Sequence, residues 1–432
     1  MNARHVRVSL GALLATVACN SGSSPPSVEV ARSAKLRVTA PVVSDGDAQT
    51  AAADDTAFAL ELFQLARAKP GNVVFSPLSL SLALAMTYGG ARGDTETEMA
   101  KALHFTLPQE SLHPAFDALD LALASRGAGA NGVDGQPFRL TINNAVWAQA
   151  GHPFLEPYLD LLAVNYGAGV RLADFAHDAE GARAIINGWV GTATGGHIND
   201  LLRPGILTPN TVLVLTNAVT FNAAWSRPFL EPTRDRAFHR LDGTDVQAAT
   251  MFDGLALFTR GDGYEAAELR YSDPKLSMIV ILPDYGTSQA YQGPFEAFER
   301  GLTPAVLAGI VDGIGTLPID SGLYLPRFKL QASLDLKETL TAMGMPSAFS
   351  GAADFSGMDG ARELFVSDVV HQAFISVGEQ GTEAAAATAV PVSTKAATFA
   401  PMIVDRPFLF LIRDRETGAI LFLGHVLDPT AG

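Results

Sequence analysis

An α+β fold with antiparallel or mixed sheets is predicted on three observations. Segments with apolar residues at helical spacing crowd into the chain before about residue 193. Segments with strand character crowd into the part after about residue 211. Strand–helix–strand alternations are few, which disfavours a parallel doubly wound sheet. Hydrophobic residues make up 48% of the 432 and charged residues 17%, the balance of a globular protein with a large core. A net charge of −15 argues against nucleic acid and anionic membrane surfaces as partners.

The N-terminus reads as an export signal. Arg4, His5 and Arg7 precede the apolar run Val8 to Ala18, which is too short to span as a stable anchor. Thr16-Val17-Ala18 lead into Cys19, the one cysteine of the chain, so no internal disulfide can form. This arrangement resembles a bacterial lipoprotein signal, in which the cysteine is lipidated and becomes the mature N-terminus. Residues 1–19 are therefore expected to be a signal peptide. Residues 20–53 lack any aromatic and are expected to be a disordered tether. Residues 54–432 are expected to form a single domain, with no internal linker or repeat. Localisation is then exported: the outer membrane, periplasm or cell surface through the lipid, otherwise extracellular.

From Asp54 or Asp55, as a cap, a helix carries Phe58, Leu62, Leu65 and Ala66 at helical spacing and stops at Lys69-Pro70-Gly71. Val73-Val74-Phe75 is a short strand. Pro77, at a first-turn position, opens a second helix to Tyr88 that is apolar on nearly every face and should be buried centrally. Thr95-Glu96-Thr97-Glu98 has the spacing of a capping box for a third helix. Residues 106–130 read as an amphipathic helix and a Gly-rich loop, 138–149 as a long strand containing Trp147, and 156–166 as a helix. A short strand at 171–175 and a helix at 179–193 follow.

Thr211 to Phe221 is β-branched and apolar on both faces, hence a central strand. Two strands flank the hairpin turn Ser272-Asp273-Pro274. A strand at 323–330 precedes a helix at 333–343. Strands at 365–377, 408–413 and 419–426 close the chain, the last two joined through Arg415-Glu416-Thr417-Gly418.

Enzyme chemistry finds no foothold. The nine His residues are dispersed without metal-ligand spacing, so no metal is expected. No GxxxxGK[ST] phosphate loop and no GxSxG elbow occurs, and no cofactor is expected. Ser272-Asp273-Pro274-Lys275 has a SxxK spacing but lies in a turn and contains a proline.

The conspicuous stretch runs from Gly378 to Val390, inside about two dozen small, mostly uncharged residues that separate two strands. Loops this long inside a compact domain tend to be functional. Ala and Thr stand where a flexible linker would carry Gly and Ser. As a strand of period two, one face would carry Thr382, Ala384, Ala386, Thr388 and Val390, small enough to enter a sheet, with Glu383 on the other.

Glu379-Gln380-Gly381-Thr382-Glu383-Ala384-Ala385-Ala386-Ala387-Thr388 resembles the reactive-centre hinge of serpins, inhibitors of serine proteases. Further collinear motifs carry the same resemblance: Asn72 to Ser79, Leu215 to Phe221 with Trp225, Asn187 to Val190 with Gly196-His197-Ile198, and Ile403 to Phe410. The resemblance implies the serpin fold, about nine helices around three β-sheets with an exposed reactive-centre loop at about 378–401. It implies a monomeric suicide-substrate inhibitor that is not itself an enzyme, whose cleaved loop inserts into the main sheet with a serine protease trapped as acyl-enzyme. Hinge residues are then Glu379, Gly381, Thr382, Glu383, Ala384, Ala386 and Thr388. Ser76, Ser79, Asn217 and His371 match a polar cluster where the sheet parts, and Trp225 the entrance to it.

Counting seventeen residues from Glu379 puts the reactive bond at Lys395–Ala396, while counting back from Pro407-Phe408 gives Ala396. The first count is preferred because hinge length is mechanically constrained, and it implies a trypsin-like target. Pro391 departs from the pattern, since proline cannot donate to a central ladder. A non-inhibitory carrier or folding assistant is the alternative. The helix near 109–124 has no Lys or Arg, so acceleration by a polyanion is not expected.

Overall fold

The structure, a computed structural model, describes residues 28–44, 46–133, 137–229, 233–253, 256–285, 291–316, 322–382 and 400–431. In chain order the elements begin with β1 (Glu29–Ala31), α1 (Asp47–Ala66), β2 (Val73–Phe75), α2 (Pro77–Tyr88), α3 (Gly93–Ala102) and α4 (Gln109–Ala124). They continue with β3 (Arg139–Gln149), α5 (Glu156–Tyr166), β4 (Val170–Ala173), α6 (Phe175–Ala193), β5 (Leu213–Ala224), β6 (Arg234–His239) and β7 (Asp245–Asp253). Next are β8 (Leu257–Gly261), β9 (Tyr264–Arg270), β10 (Leu276–Pro283), α7 (Gln292–Gly301), α8 (Pro304–Gly313), β11 (Leu323–Pro326), β12 (Phe328–Asp335) and α9 (Lys337–Ala342). A 3-10 turn at Ser347–Phe349, α10 (Ser356–Asp359), β13 (Val366–Gly378), β14 (Gly381–Thr382), β15 (Met402–Ile403), β16 (Phe408–Asp414) and β17 (Ile420–Val426) complete the chain. Among the described residues this is ten α-helices and three sheets, the α+β class expected.

The main sheet runs β1-β4-β3-β5-β14-β13-β12, the second β2-β17-β16-β10-β9-β8, and the third β15-β11-β7-β6. β5 is central as its two-faced apolar sequence requires, buried at every residue from Leu213 to Ala223. β3 flanks it antiparallel, and β13 parallel from Leu213↔Val366 to Thr220↔Phe374. One face of the sheet packs on the main core and α2, all of whose residues are buried. Each fully buried Leu of that helix contributes roughly 1.5–3 kcal/mol. On the other face α6 crosses the strands, packing Ile186 and Val190 over Trp147, Val214, Ala218, Val370 and Phe374.

Several local expectations change. The tether does not hold over its full span, because α1 begins at Asp47 and buries Ala51, Ala52, Asp54 and Asp55. Both aspartates are interior helix residues: Asp54 accepts from the Thr106 N–H (2.8 Å) and Asp55 from the Ser81 hydroxyl (2.7 Å). Residues 28–44 form a strap across the sheet edge. β1 extends the sheet by pairing antiparallel with β4. Beyond it Arg37 reaches the carboxylates of Asp117 (2.7 Å) and Asp120 (2.6 Å) on α4. Lys35 reaches Asp160 on α5 (2.7 Å). Low hydrophobicity hid this segment, which docks through ladder bonds and ion pairs, with Val28, Ala31 and Val43 only partly buried against the core.

The supposed capping box is interior to α3. Thr95 Oγ1 accepts from the Asp354 N–H and Glu98 from the Ser347 N–H, each at 2.9 Å. The single strand expected at 323–330 is two, because the chain passes at Arg327 from the third sheet into the main one. β12 then runs to Asp335, which delays the following helix to Lys337.

Candidate functional site

β13 ends in a tight reversal. Its last pair, Val377 and Gly378, bonds back to Thr382 and Gly381 of β14. The same two residues bond on their other side to Ala223 and Ala224 of β5. The hinge residues Gly381 and Thr382 therefore lie between β5 and β13 at one end of the main sheet. Below them, from Phe374 and Thr220 downward, β5 and β13 are bonded directly to each other. This is a parted seam with a strand started in its mouth.

Gly381 is demanded by close approach. A Cβ there would sit 2.1 Å from the Ala223 carbonyl oxygen and 2.7 Å from Ala224 Cα. Thr382 is fully buried, and its hydroxyl lies 2.8 Å from the Tyr271 hydroxyl. Tyr271 stacks on Trp225, with ring centroids 4.5 Å apart and planes at 18°. The Trp225 indole N–H donates to the Gly378 carbonyl (2.9 Å), and its backbone N–H to the Gln380 carbonyl (2.8 Å). Trp225 is thus packed against the reversal.

Glu379 projects from the turn. Its carboxylate accepts from Arg327 Nε (2.7 Å) and from the Thr233 hydroxyl. Burial alone would raise its pKa, but these bonds outweigh it and hold the group below the usual carboxylate range. Arg327 is the residue at which the chain changes sheets, so the turn is pinned to the junction of the two sheets.

About half-way down the seam lies the polar cluster. His371 on β13 and Asn217 on β5 are register partners. His371 Nε2 accepts from the Ser76 backbone N–H (3.2 Å), so Nδ1 carries the proton and donates to Asn217 Oδ1 (2.5 Å). Asn217 Nδ2 donates to Ser79 Oγ (2.5 Å) and to Asn144 Oδ1. His371 is wholly buried, and burial pushes its imidazole down to about 3, so it is neutral at pH 7. The four expected members, Ser76, Ser79, Asn217 and His371, are brought together. Asn144 on β3 is a fifth that was missed, and the one signal for it is an amide in the middle of a strand. Arg327 and Tyr271 were also missed, having nothing local to mark them.

Glu383, Ala384, Ala386, Thr388, Lys395, Ala396 and Cys19 lie outside the described residues. Among the described residues no group of three or more His, Cys, Asp or Glu could hold a metal ion. None of their helices is long and apolar enough to cross a membrane.

Comparison with known proteins fits this architecture. Residues 53–429 match the family model described as serpin (serine protease inhibitor). The chain belongs to the serpin family. An uncharacterised serpin-like protein of Thermococcus kodakarensis is 37% identical over 397 residues, 90% of this chain and 88% of that one. The leukocyte elastase inhibitor of Bos taurus is also 37% identical, over 385 residues that cover 87% of this chain and 99% of the inhibitor. Among solved structures, the thermophilic serpin tengpin in its native state superposes with a TM-score of 0.78. It is 26% identical, over 93% of this chain and 99% of tengpin. Uncleaved ovalbumin gives 0.76 at 25% identity, over 88% of this chain and 100% of that one. The fold of this serpin is therefore shared with tengpin and ovalbumin.

Proposed function

We propose that this serpin inhibits a serine protease as a suicide substrate. The observation that carries the reading is β14, with Gly381 and Thr382 between β5 and β13. Continuing that antiparallel register would set Ala384 opposite Phe221, Ala386 opposite Val219 and Thr388 opposite Asn217. Phe221 and Val219 belong to the main core, so the small side chains would enter it without a charge to desolvate. Thr388 would arrive at the polar cluster, where its hydroxyl would find partners. From Ala385 onward, opposite Thr220, each added residue would replace a β5–β13 pairing with two new ladders.

The protease begins the sequence. Its serine oxygen attacks the carbonyl at the reactive bond, the amine of the next residue leaves, and an acyl ester joins the enzyme to the hinge side. Insertion then carries that ester away from the entrance. Each net ladder bond contributes about 1 kcal/mol, and roughly a dozen residues can exceed the cost of distorting the bound enzyme. Strand insertion of this type is a general mode of releasing stored strain.

Lys395, the only basic residue between Glu379 and Arg406, favours a trypsin-like target with Lys395–Ala396 as the reactive bond. The second reading is an elastase-like target at Ala396, which the likeness to leukocyte elastase inhibitors favours. Incubation with trypsin and with elastase, followed by denaturing electrophoresis, separates them. A detergent-stable complex with trypsin and a released fragment beginning at Ala396 is expected. A complex with elastase alone supports the second reading, and clean cleavage by both without a complex overturns inhibition in favour of a carrier. We also place the protein outside the cytoplasm, held by a lipid on Cys19. Incorporation of a labelled fatty acid that survives in Cys19→Ser would contradict that placement.

A further inference from the structure

The strap and the edge of the main sheet enclose a cavity of about 660 Å³. Strap residues 32–37 form one wall, and Asn144, Ala145, Tyr166 and the approach to β4 ending at Arg171 form the other. Although the chain carries a net charge of −15, no acidic residue among the described residues lines the cavity, and four cations do. Lys35 and Arg37 are occupied by Asp160, Asp117 and Asp120. Arg32 and Arg171 have no carboxylate and no hydrogen-bond acceptor among the described residues. The Arg171 guanidinium lies 4.4 Å from the Trp189 ring centroid and 5.6 Å from that of Trp147, half-buried. A half-buried guanidinium without an anion is uncommon, because desolvated charges are ordinarily paired.

The two free cations share one face. Val30 is the register partner of Arg171, and Arg32 Cβ lies 2.8 Å from where a Cβ on Gly169 would be. Alternate residues on a strand face the same way, so Arg32 and Arg171 are diagonal neighbours roughly 7–8 Å apart at the backbone. We propose that this cavity is a binding site for a small multivalent oxyanion of the phosphate or sulfate class, clamped between Arg32 and Arg171. Contact with the Trp189 ring holds the Arg171 guanidinium in place without using its N–H groups, which stay available for a bidentate contact. No Lys or Arg on α4 continues the positive charge, so the site suits a single anion and not a long polyanion. Arg32 belongs to the strap and Arg171 to the sheet, so the anion bridges them and holds the strap down.

The test titrates the full chain with sodium phosphate and, separately, sodium sulfate, each against sodium chloride at matched ionic strength. The readouts are the thermal midpoint and tryptophan emission, the latter local because Trp147 and Trp189 flank Arg171. A saturable rise in midpoint with an emission change is expected from at least one oxyanion, and the tighter of the two names the class. Arg171→Gln and Arg32→Gln should each weaken binding about tenfold or more, as loss of a charge-assisted contact does. A response that chloride reproduces, no saturable response, or variants that bind as the parent does would overturn the site. If Arg171→Gln fails to fold, the exposed Arg32→Gln decides alone.

Discussion

The Thr382 hydroxyl stands 2.8 Å from the Tyr271 hydroxyl, both side chains fully buried, between two strands that are bonded to each other further down. That contact fixes which face of the hinge enters the core. In the proposed insertion, later residues on the same face would follow it inward.

Thr382→Arg would bring a guanidinium against Tyr271 and the Trp225 ring with no carboxylate to meet it. An unpaired buried charge costs several kcal/mol, so the hinge should be expelled and insertion should stall. The variant is expected to be cleaved by the target protease as a substrate, with the stable complex lost on denaturing electrophoresis. Retained complex formation would refute the inserted-face assignment.

His371 gives the fold a pH dependence of known sign. Its folded pKa, about 3, lies below the ordinary 6.5, so the unfolded chain binds the proton first. Its contribution to stability is complete above 6.5 and is lost as pH falls from there toward 3. His113, buried and pushed down to about 4, acts in the same window, while buried Asp55, pushed up to about 7, acts with opposite sign. His371→Gln should therefore reduce, without abolishing, the slope of unfolding free energy against pH between about 6 and 4.5. The expected reduction is up to about 1.4 kcal/mol per pH unit, one proton's worth, read from urea titrations.

Arg37→Ala should destabilise the native state although it alters a residue before α1. Asp117 is wholly buried and would lose its cation, which is expected to cost about 2–3 kcal/mol in denaturant unfolding. Asp117→Asn in the Arg37→Ala background should recover part of the loss, because the neutral amide is cheaper to bury. Equal stability of Arg37→Ala and the parent would mean the strap is not docked in solution.

Much of this was legible in the chain. Pro77 at a helix start, the two-faced apolar run of β5 and the turn at Ser272-Asp273-Pro274 are local signals, and each element lies where its residues put it. Four members of the polar cluster, Ser76, Ser79, Asn217 and His371, were legible only through resemblance to a family pattern, since α2, β5 and β13 are far apart in sequence. The partners that seat the hinge were not legible: Tyr271 and Arg327 act through tertiary placement that no local pattern encodes. The strap was missed for a different reason. Composition measures apolar burial, and Arg37, Lys35 and the three ladder residues of β1 dock by charge and backbone bonds.

The central claim is that the hinge is a spare strand for the main sheet, and the thermal midpoint before and after loop cleavage tests it most directly. A non-target protease that nicks the segment between Thr382 and Ala400 should suffice. Roughly ten new ladder bonds at about 1 kcal/mol each predict a midpoint raised by more than about 10 °C in the nicked protein. A nicked protein that melts at or below the midpoint of the intact one would contradict insertion.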